Sequence, residues 1–352
     1  MRFLLLIISL CIFANPATAQ EETLDFTTFK TLPILHDGRI KPMESFAKAQ
    51  IKQLSGKEQL DNLTAPHWLA LTLFDPQNAI AVPVFKISEN HLRKKLQLDE
   101  SKKLFSFAEL QPGLQNTQKD VMALLQKQPE DLTGDEQSLL QIHENAAALT
   151  NLMRSFSAFL PLDITLPKSY MDLLQSELNF SELAKIEQKL AQNTAKIVAE
   201  KGQDPTAYTP EELSIAKAAF TIQTLRTAGQ NNTLLRVIPS TWEQAKGEWF
   251  SPWQVLLQGQ GSPESAFLLS QWTDLAAAYR TQNAQLWATI SNDILEETKL
   301  QSADNEAIDT ARFKTEQAYS HSKPYLWIIG LYALALLAAL IVFKKFKDKR
   351  AQ

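Results

Sequence analysis

Apolar residues in this chain repeat mainly with the period of a helix. An apolar residue recurs every three or four positions over 139–156 and again over 268–290, which predicts two long amphipathic helices. Runs of β-favouring residues are shorter and lie at 32–44, 80–87 and 234–239, so they predict short strands. The pattern therefore predicts a mainly α domain with a few short β-strands, an α+β arrangement.

Residues 1–19 have the pattern of a secretory signal peptide. Arg2 precedes an apolar run at 3–14, and small residues at 17–19 form a cleavage pattern. This order of basic, apolar and small residues is typical of an exported chain. We expect cleavage before Gln20, and an uncleaved anchor is the alternative.

A second apolar segment, at 324–343, predicts a transmembrane helix. It carries no charge from Tyr325 to Phe343, and five basic residues lie in the tail at 344–352. Its length at about 1.5 Å per residue matches the hydrocarbon core of a bilayer, and a buried helix is the alternative. Because basic tails stay inside, we expect a single-pass protein of a bacterial inner membrane, with 20–323 in the periplasm and a cytoplasmic C-terminus.

Composition and charge exclude several classes of protein. The chain has 35 basic and 39 acidic residues and a net charge of −4, which argues against nucleic acid as a partner. Its single cysteine, Cys11, lies in the predicted signal peptide. The mature chain would therefore have no thiol for a disulfide, a zinc site or a catalytic nucleophile.

Catalytic patterns are absent from the sequence as well. No common catalytic motif is present, and the five histidines are scattered without a pair at metal-ligand spacing. We therefore expect a protein that is not an enzyme, with no catalytic residue and no metal site. The alternative is an exported enzyme that uses carboxylates such as Glu243 or Glu248, which lie beside tryptophans.

An Asp-Gly turn carries the strongest candidate site. Asp-Gly favours a tight hairpin, and in an extended strand Arg39 and Lys41 project from the same side. Two cations and a histidine on one turn form a candidate anion or partner contact, for example for a haem propionate. The alternative is that these cations pair with acids of the domain. The segment consists of His36, Asp37, Gly38, Arg39, Lys41 and Pro42.

Three tryptophans within twelve residues form a candidate aromatic interface. Trp242, Trp249 and Trp253 are of the type that stacks on a flat cofactor or anchors a partner. The alternative is that they pack in the core.

A histidine lies just before the predicted membrane segment. His321 comes three residues before Pro324, and an imidazole there is a candidate ligand of haem iron. The alternative is an ordinary polar residue at that place.

Several segments, taken in chain order, resemble a known family. LPILHDGRIKPMESFAK, at 32–48, resembles the GRxKP segment that opens the extracytoplasmic domain of System II (Ccs/Res-type) cytochrome c biogenesis proteins. Later segments of that domain resemble PHWLALTLFDP, AIAVPVFKI, LFSFAEL, LLRVIPS with GEWFSPW, and TEQAYSHSKPYLW. In the last of these, Glu316 and Tyr319 match the pre-membrane motif. The middle of the chain, about 115–230, matches only in helical character.

The resemblance implies a split system. In many family members this domain precedes a polytopic haem-handling module with a Trp-rich signature (WGxxWxWD), and this chain has neither. The partner implied is therefore a separate polytopic CcsA/ResC-like haem-handling membrane protein, with apocytochrome c as a further partner. Haem would reach the complex through that partner, and the family's haem-ligating histidines do not carry over to this chain.

The function implied is that of a non-enzymatic subunit of a System II cytochrome c maturation complex. Such a subunit would assist haem presentation or apocytochrome positioning at the periplasmic face of the inner membrane. The alternative is a membrane-anchored periplasmic binding or sensor protein unrelated to haem.

Overall fold

The computed structural model describes residues 23–174, 177–302, 308, 310–322 and 324–350. The chain is mostly helical, at 66%, with a few short antiparallel strand pairs. The predicted signal peptide at 1–19 lies outside the described residues.

The strands are all short. They are β1 (Pro33–His36), β2 (Arg39–Pro42), β3 (Pro83–Lys86), β4 (Leu104–Ser106), β5 (Ile238–Pro239) and β6 (Trp249–Phe250). Each pairs with the next in the chain, so the described residues contain three separate two-stranded antiparallel sheets. The first pair runs in the register Pro33↔Pro42 to His36↔Arg39.

Helices make up most of the remaining structure. They are α1 (Met43–Ser55), α2 (Ala65–Phe74), α3 (Pro76–Ala79), α4 (Asn90–Lys95), α5 (Phe107–Leu124), α6 (Gly134–Arg154), α7 (Lys168–Met171), α8 (Phe180–Lys185), α9 (Glu187–Lys201), α10 (Pro210–Gly229), α11 (Pro252–Gln258), α12 (Pro263–Arg280), α13 (Ala284–Ser302), α14 (Thr310–Ser322) and α15 (Pro324–Arg350).

Local capping chemistry sets several helix starts. In α5, α6 and α10 a Ser or Thr side chain accepts from a backbone N–H, and a Glu three residues later accepts from the cap's own N–H. The pairs are Ser106–Glu109, Thr133–Glu136 and Thr209–Glu212. These helices therefore begin where short polar patterns satisfy the first backbone donors.

Two of the predicted strands differ in extent from those observed. The run at 80–87 shortens to β3, which pairs with β4. The run at 234–239 shortens to β5, and its Arg236 forms an isolated bridge with Leu35. Long-range pairing, which a single sequence does not reveal, decides both outcomes.

An aromatic core joins the N-terminal segment to the C-terminal helices. The ring of Trp287, in α13, lies 5.0 Å from that of Phe26 and 5.1 Å from that of Phe29, between centroids. Its Nε1 donates to the carbonyl of Asp25 at 2.8 Å, which satisfies the indole donor. Phe74, at the end of α2, meets the same ring edge-on at 6.3 Å. Regions far apart in the chain thus share one core.

The structure contradicts the prediction of a transmembrane helix at 324–343. Among the described residues, no helix is both long enough and apolar enough to cross a membrane. This finding contradicts the predicted single-pass topology. It also contradicts the predicted inner-membrane location with a cytoplasmic tail at 344–352.

Candidate functional site

The Asp-Gly segment forms the tip of the β1–β2 hairpin. Asp37 and Gly38 both adopt a positive φ, at 50° and 70°, as the two central residues of a type I′ turn do. This turn places His36 directly opposite Arg39. The local sequence therefore determines which side chains meet at the tip.

Charge at the tip is partly neutralised within the turn. The Asp37 carboxylate accepts from Lys41 Nζ at 3.0 Å and lies 2.9 Å from His36 Nδ1. The hydrogen bond from Lys41 lowers the pKa of Asp37 below its usual value, so this carboxyl group is ionised at neutral pH. Lys41 thus pairs with an acid of its own hairpin. This is the arrangement described by the alternative in which the cations pair with acids of the domain.

Arg39 differs from Lys41. Its side chain is exposed, and it makes no ion pair within the part of the chain that the structure describes. A solvent-facing guanidinium keeps its five donors available for a carboxylate or a partner. Arg39 is therefore the cation that the hairpin presents outward.

His36 lines a polar cleft beside the hairpin. Burial lowers the pKa of His36, so the imidazole is neutral at pH 7, and its ring meets Phe46 edge-on at 5.0 Å. The ring lines a cleft of about 320 Å³, which we name the His36 cleft. Its polar lining consists of His36, Gln50, Gln53, Asn151, Asn231, Asn232 and Thr233, and Ala148 and Leu234 complete the wall.

Hydrogen bonds hold the amides of this cleft in place. Asn232 donates from Nδ2 to the carbonyl of Asn151 at 2.7 Å and accepts from Ser155 Oγ at 3.2 Å. Gln53 donates to Asn145 Oδ1 at 3.2 Å. The walls are therefore neutral, ordered and rich in both donors and acceptors.

Segments distant in sequence meet beside the hairpin. Leu35 N–H donates to the carbonyl of Arg236 at 3.0 Å, so β1 pairs with the 234–239 segment through one antiparallel bridge. Ser45, in α1, donates to Glu316 Oε1 of α14 at 2.7 Å. The hairpin region therefore contacts both later parts of the chain.

The three tryptophans occupy different environments. Trp249 and Trp253 are buried, at 5% and 1% exposure, whereas Trp242 is 40% exposed. Trp253 Nε1 donates to the carbonyl of Arg154 at 2.8 Å, and its ring covers Gly229, where an added Cβ would lie 2.2 Å from a ring carbon. Of the three, Trp242 presents its ring to solvent, beside a second cleft of about 420 Å³.

The carboxylates named in the enzyme alternative are not brought together by the structure. Glu243 lines the second cleft with Trp242, while Glu248 is exposed and is not part of that lining. Within the described residues, no group of three His, Cys, Asp or Glu side chains is placed to hold a metal ion.

The pre-membrane candidates lie on α14. Glu316 is partly buried and accepts from Ser45, and Tyr319 is 67% exposed. His321 also belongs to α14, but its side chain lies outside the described residues, so its ligation of haem iron stays a prediction.

Sequence reasoning missed the amide walls of the His36 cleft. The Gln/Asn-rich stretch at 228–232 reads as an ordinary loop, and Gln50, Gln53 and Asn151 lie singly on helices. The available signal was the run Gln230-Asn231-Asn232 directly after a helix, since loop amides often bind backbone groups.

Comparison with known proteins adds no support to the resemblance beyond its motifs. No family model matches the chain, and no curated protein matches it either. The similarity to System II proteins therefore rests on the segments quoted from the sequence.

Proposed function

We propose that this chain is a non-enzymatic accessory subunit of a System II cytochrome c maturation complex. It works beside a separate polytopic CcsA/ResC-like haem-handling membrane protein. Its task is to position apocytochrome c while the partner supplies haem.

The observation that carries this proposal is the spatial convergence of the segments that resemble the family. The 32–48 segment forms the β1–β2 hairpin and most of α1, and it bonds to Arg236 and to Glu316. β5 and β6, from the segments LLRVIPS and GEWFSPW, pair with each other. β3 and β4, from AIAVPVFKI and LFSFAEL, pair in the same way.

Such convergence is expected of a shared domain and not of chance matches. Chance similarities would scatter over a fold without regard to contact. Here two segments 271 residues apart supply both partners of one side-chain hydrogen bond. The poorly matching middle of the chain instead contributes α6, α9 and α10.

The chemistry of the His36 cleft favours apocytochrome over haem as the direct ligand. A porphyrin needs extended apolar walls, and small-molecule sites are mostly apolar. The His36 cleft has only Ala148 and Leu234 as apolar lining residues, and five amides dominate its wall. Amides bind the N–H and C=O groups of an extended peptide. Arg39, at the hairpin tip, adds a cation for an acidic side chain or the peptide C-terminus.

Affinity purification of the full-length chain from its host in gentle detergent tests this proposal. We expect recovery with apocytochrome c and with a multispanning protein that carries the Trp-rich signature. Arg39→Glu should lower the recovery of apocytochrome c more than the matched surface variant Lys196→Glu does. Recovery of the chain alone, from cells in which that multispanning protein is present, would count against the proposal.

A further inference from the structure

A second cleft lies away from the hairpin and is unused by the proposed function. It has a volume of about 420 Å³, and we name it the Trp242 cleft. Its lining includes Trp242, Glu243, Lys246, Glu264, Glu297 and Gln301. Carboxylates outnumber cations among these side chains by three to one, so the cleft attracts positive charge.

A buried acceptor in this cleft has no partner. Gln301 is 8% exposed, and its Nε2 donates to the carbonyl of Glu264 at 3.0 Å and to Glu297 Oε1 at 2.7 Å. Both partners are acceptors, so the orientation of the amide is fixed. Its Oε1 is left without a hydrogen-bond partner among the described residues, and a buried carbonyl of this kind calls for a donor.

Glu264 holds its charge at neutral pH. Hydrogen bonds from the hydroxyls of Ser262 and Thr241 lower the pKa of Glu264. Thr241 Oγ1 lies 3.4 Å from Glu264 Oε2, so this carboxylate is anchored at the cleft. A ligand that fits must therefore bring donors and positive charge.

The exposed face of Trp242 adds a third element. Trp242 as a residue is 40% exposed. Its backbone N–H donates to Ser240 Oγ at 3.2 Å, which fixes the start of the short turn that carries it. A cation over an indole face is attracted by the quadrupole of the ring. Among protein cations, a planar guanidinium both stacks on the ring and forks onto carboxylates.

An apolar surface continues from this cleft. A neighbouring groove of about 630 Å³ shares Glu297 and Leu300 with it. Leu300 and Phe267 are 73% and 52% exposed there. Lys299 in this groove pairs with Glu296 at 2.7 Å, so it leaves the acidic character of the rim in place.

We propose that the Trp242 cleft binds an arginine side chain of an extended partner peptide, with an adjacent apolar side chain of that peptide on Phe267 and Leu300. The guanidinium donates to the cleft carboxylates and stacks on Trp242, and a small shift of the Gln301 side chain would bring its unsatisfied Oε1 to the same group. This assignment does not depend on the proposed function, since it rests on the cleft alone.

Calorimetric titration of the full chain with synthetic peptides tests the assignment. The probe is acetyl-Leu-Arg-Leu-amide, and the control replaces arginine by citrulline, which has the same shape without the charge. We expect the arginine peptide to bind about tenfold more tightly at low salt, with that advantage shrinking at 0.5 M salt because screening weakens the charge contacts.

Variants locate the binding in the cleft. Glu297→Gln and Trp242→Ala should each weaken the arginine peptide about fivefold or more, while the exposed acid variant Glu130→Gln should not. Thermal unfolding of each variant shows that the fold persists. Equal binding of the arginine and citrulline peptides, or an equal loss in Glu130→Gln, would overturn the assignment.

Discussion

The His36 cleft and the Trp242 cleft offer opposite chemistry on one domain. Five amides and a neutral imidazole line the first, and the second has three carboxylates and an exposed indole. A neutral lining of donors and acceptors suits a peptide backbone, whereas an acidic aromatic lining suits a cationic side chain. The two proposals therefore assign a peptide main chain to the first cleft and a cationic side chain to the second.

The two clefts also depend differently on the core. Behind the His36 cleft, Ser251 donates to the carbonyl of Asn232 at 2.8 Å, and the buried Trp253 follows two residues later. The Trp242 cleft instead lies on a short exposed turn and on α13. Core damage at Trp253 should therefore affect the first cleft more than the second.

Trp253→Ala is the most disruptive test of this comparison. Truncating a fully buried tryptophan should lower the free energy of unfolding by about 3–5 kcal/mol, and it removes the bond to the Arg154 carbonyl. Trp242→Ala, at an exposed position, should cost about 1 kcal/mol or less. Urea unfolding of both variants measures the difference, and equal losses would contradict the packing described here.

Gly38→Ala tests the hairpin that orients His36. The positive φ of 70° at this position is strained for a residue with a Cβ, so we expect a loss of about 1–2 kcal/mol. Gly134→Ala, at the start of α6 with no atom near the added Cβ, should leave stability unchanged or raise it by up to about 1 kcal/mol. Thermal or urea unfolding compares the two, and a neutral Gly38→Ala would refute the turn.

Ser45→Ala tests the contact between α1 and α14. Loss of its hydrogen bond to Glu316 should cost about 1 kcal/mol. A double-mutant cycle with Glu316→Ala isolates the pair, and we expect the double variant to lose less than the sum of the two single losses. Strict additivity would mean that the two side chains do not interact.

The smallest expected effect is the pH dependence from His36. Its pKa in the folded state is lowered from 6.5 by burial, so the unfolded chain takes up a proton first as pH falls. The stability that the neutral ring contributes is present above pH 6.5 and is lost below it. His36→Leu should therefore flatten the fall in unfolding free energy between pH 7 and pH 5, and an unchanged slope would exclude His36 as a contributor.

Local features of this site were open to sequence reasoning. Asp37-Gly38 predicts a tight turn because few dipeptides accept two positive φ values, and the capping pair Thr209–Glu212 marks the start of α10 for the same local reason. Such signals extend over three or four residues and need no knowledge of the fold.

Contacts between distant segments could not be predicted from the sequence. Nothing in the sequence says that Leu35 pairs with Arg236, or that Trp242 is exposed while Trp249 is buried, because these outcomes depend on which distant segments the fold brings beside each residue. Gln301 carries no signal at all, since its role follows from two acceptors that the fold brings to one amide. The prediction of a membrane span at 324–343 was wrong, because no helix among the described residues is both long enough and apolar enough to cross a membrane.

A haem stain of the c-type cytochromes in a host strain that lacks this chain tests the proposed function most directly. The account predicts loss of covalently bound haem from these cytochromes, with normal levels of b-type cytochromes, and recovery when the gene is restored. Normal c-type cytochromes in the deletion strain would contradict it.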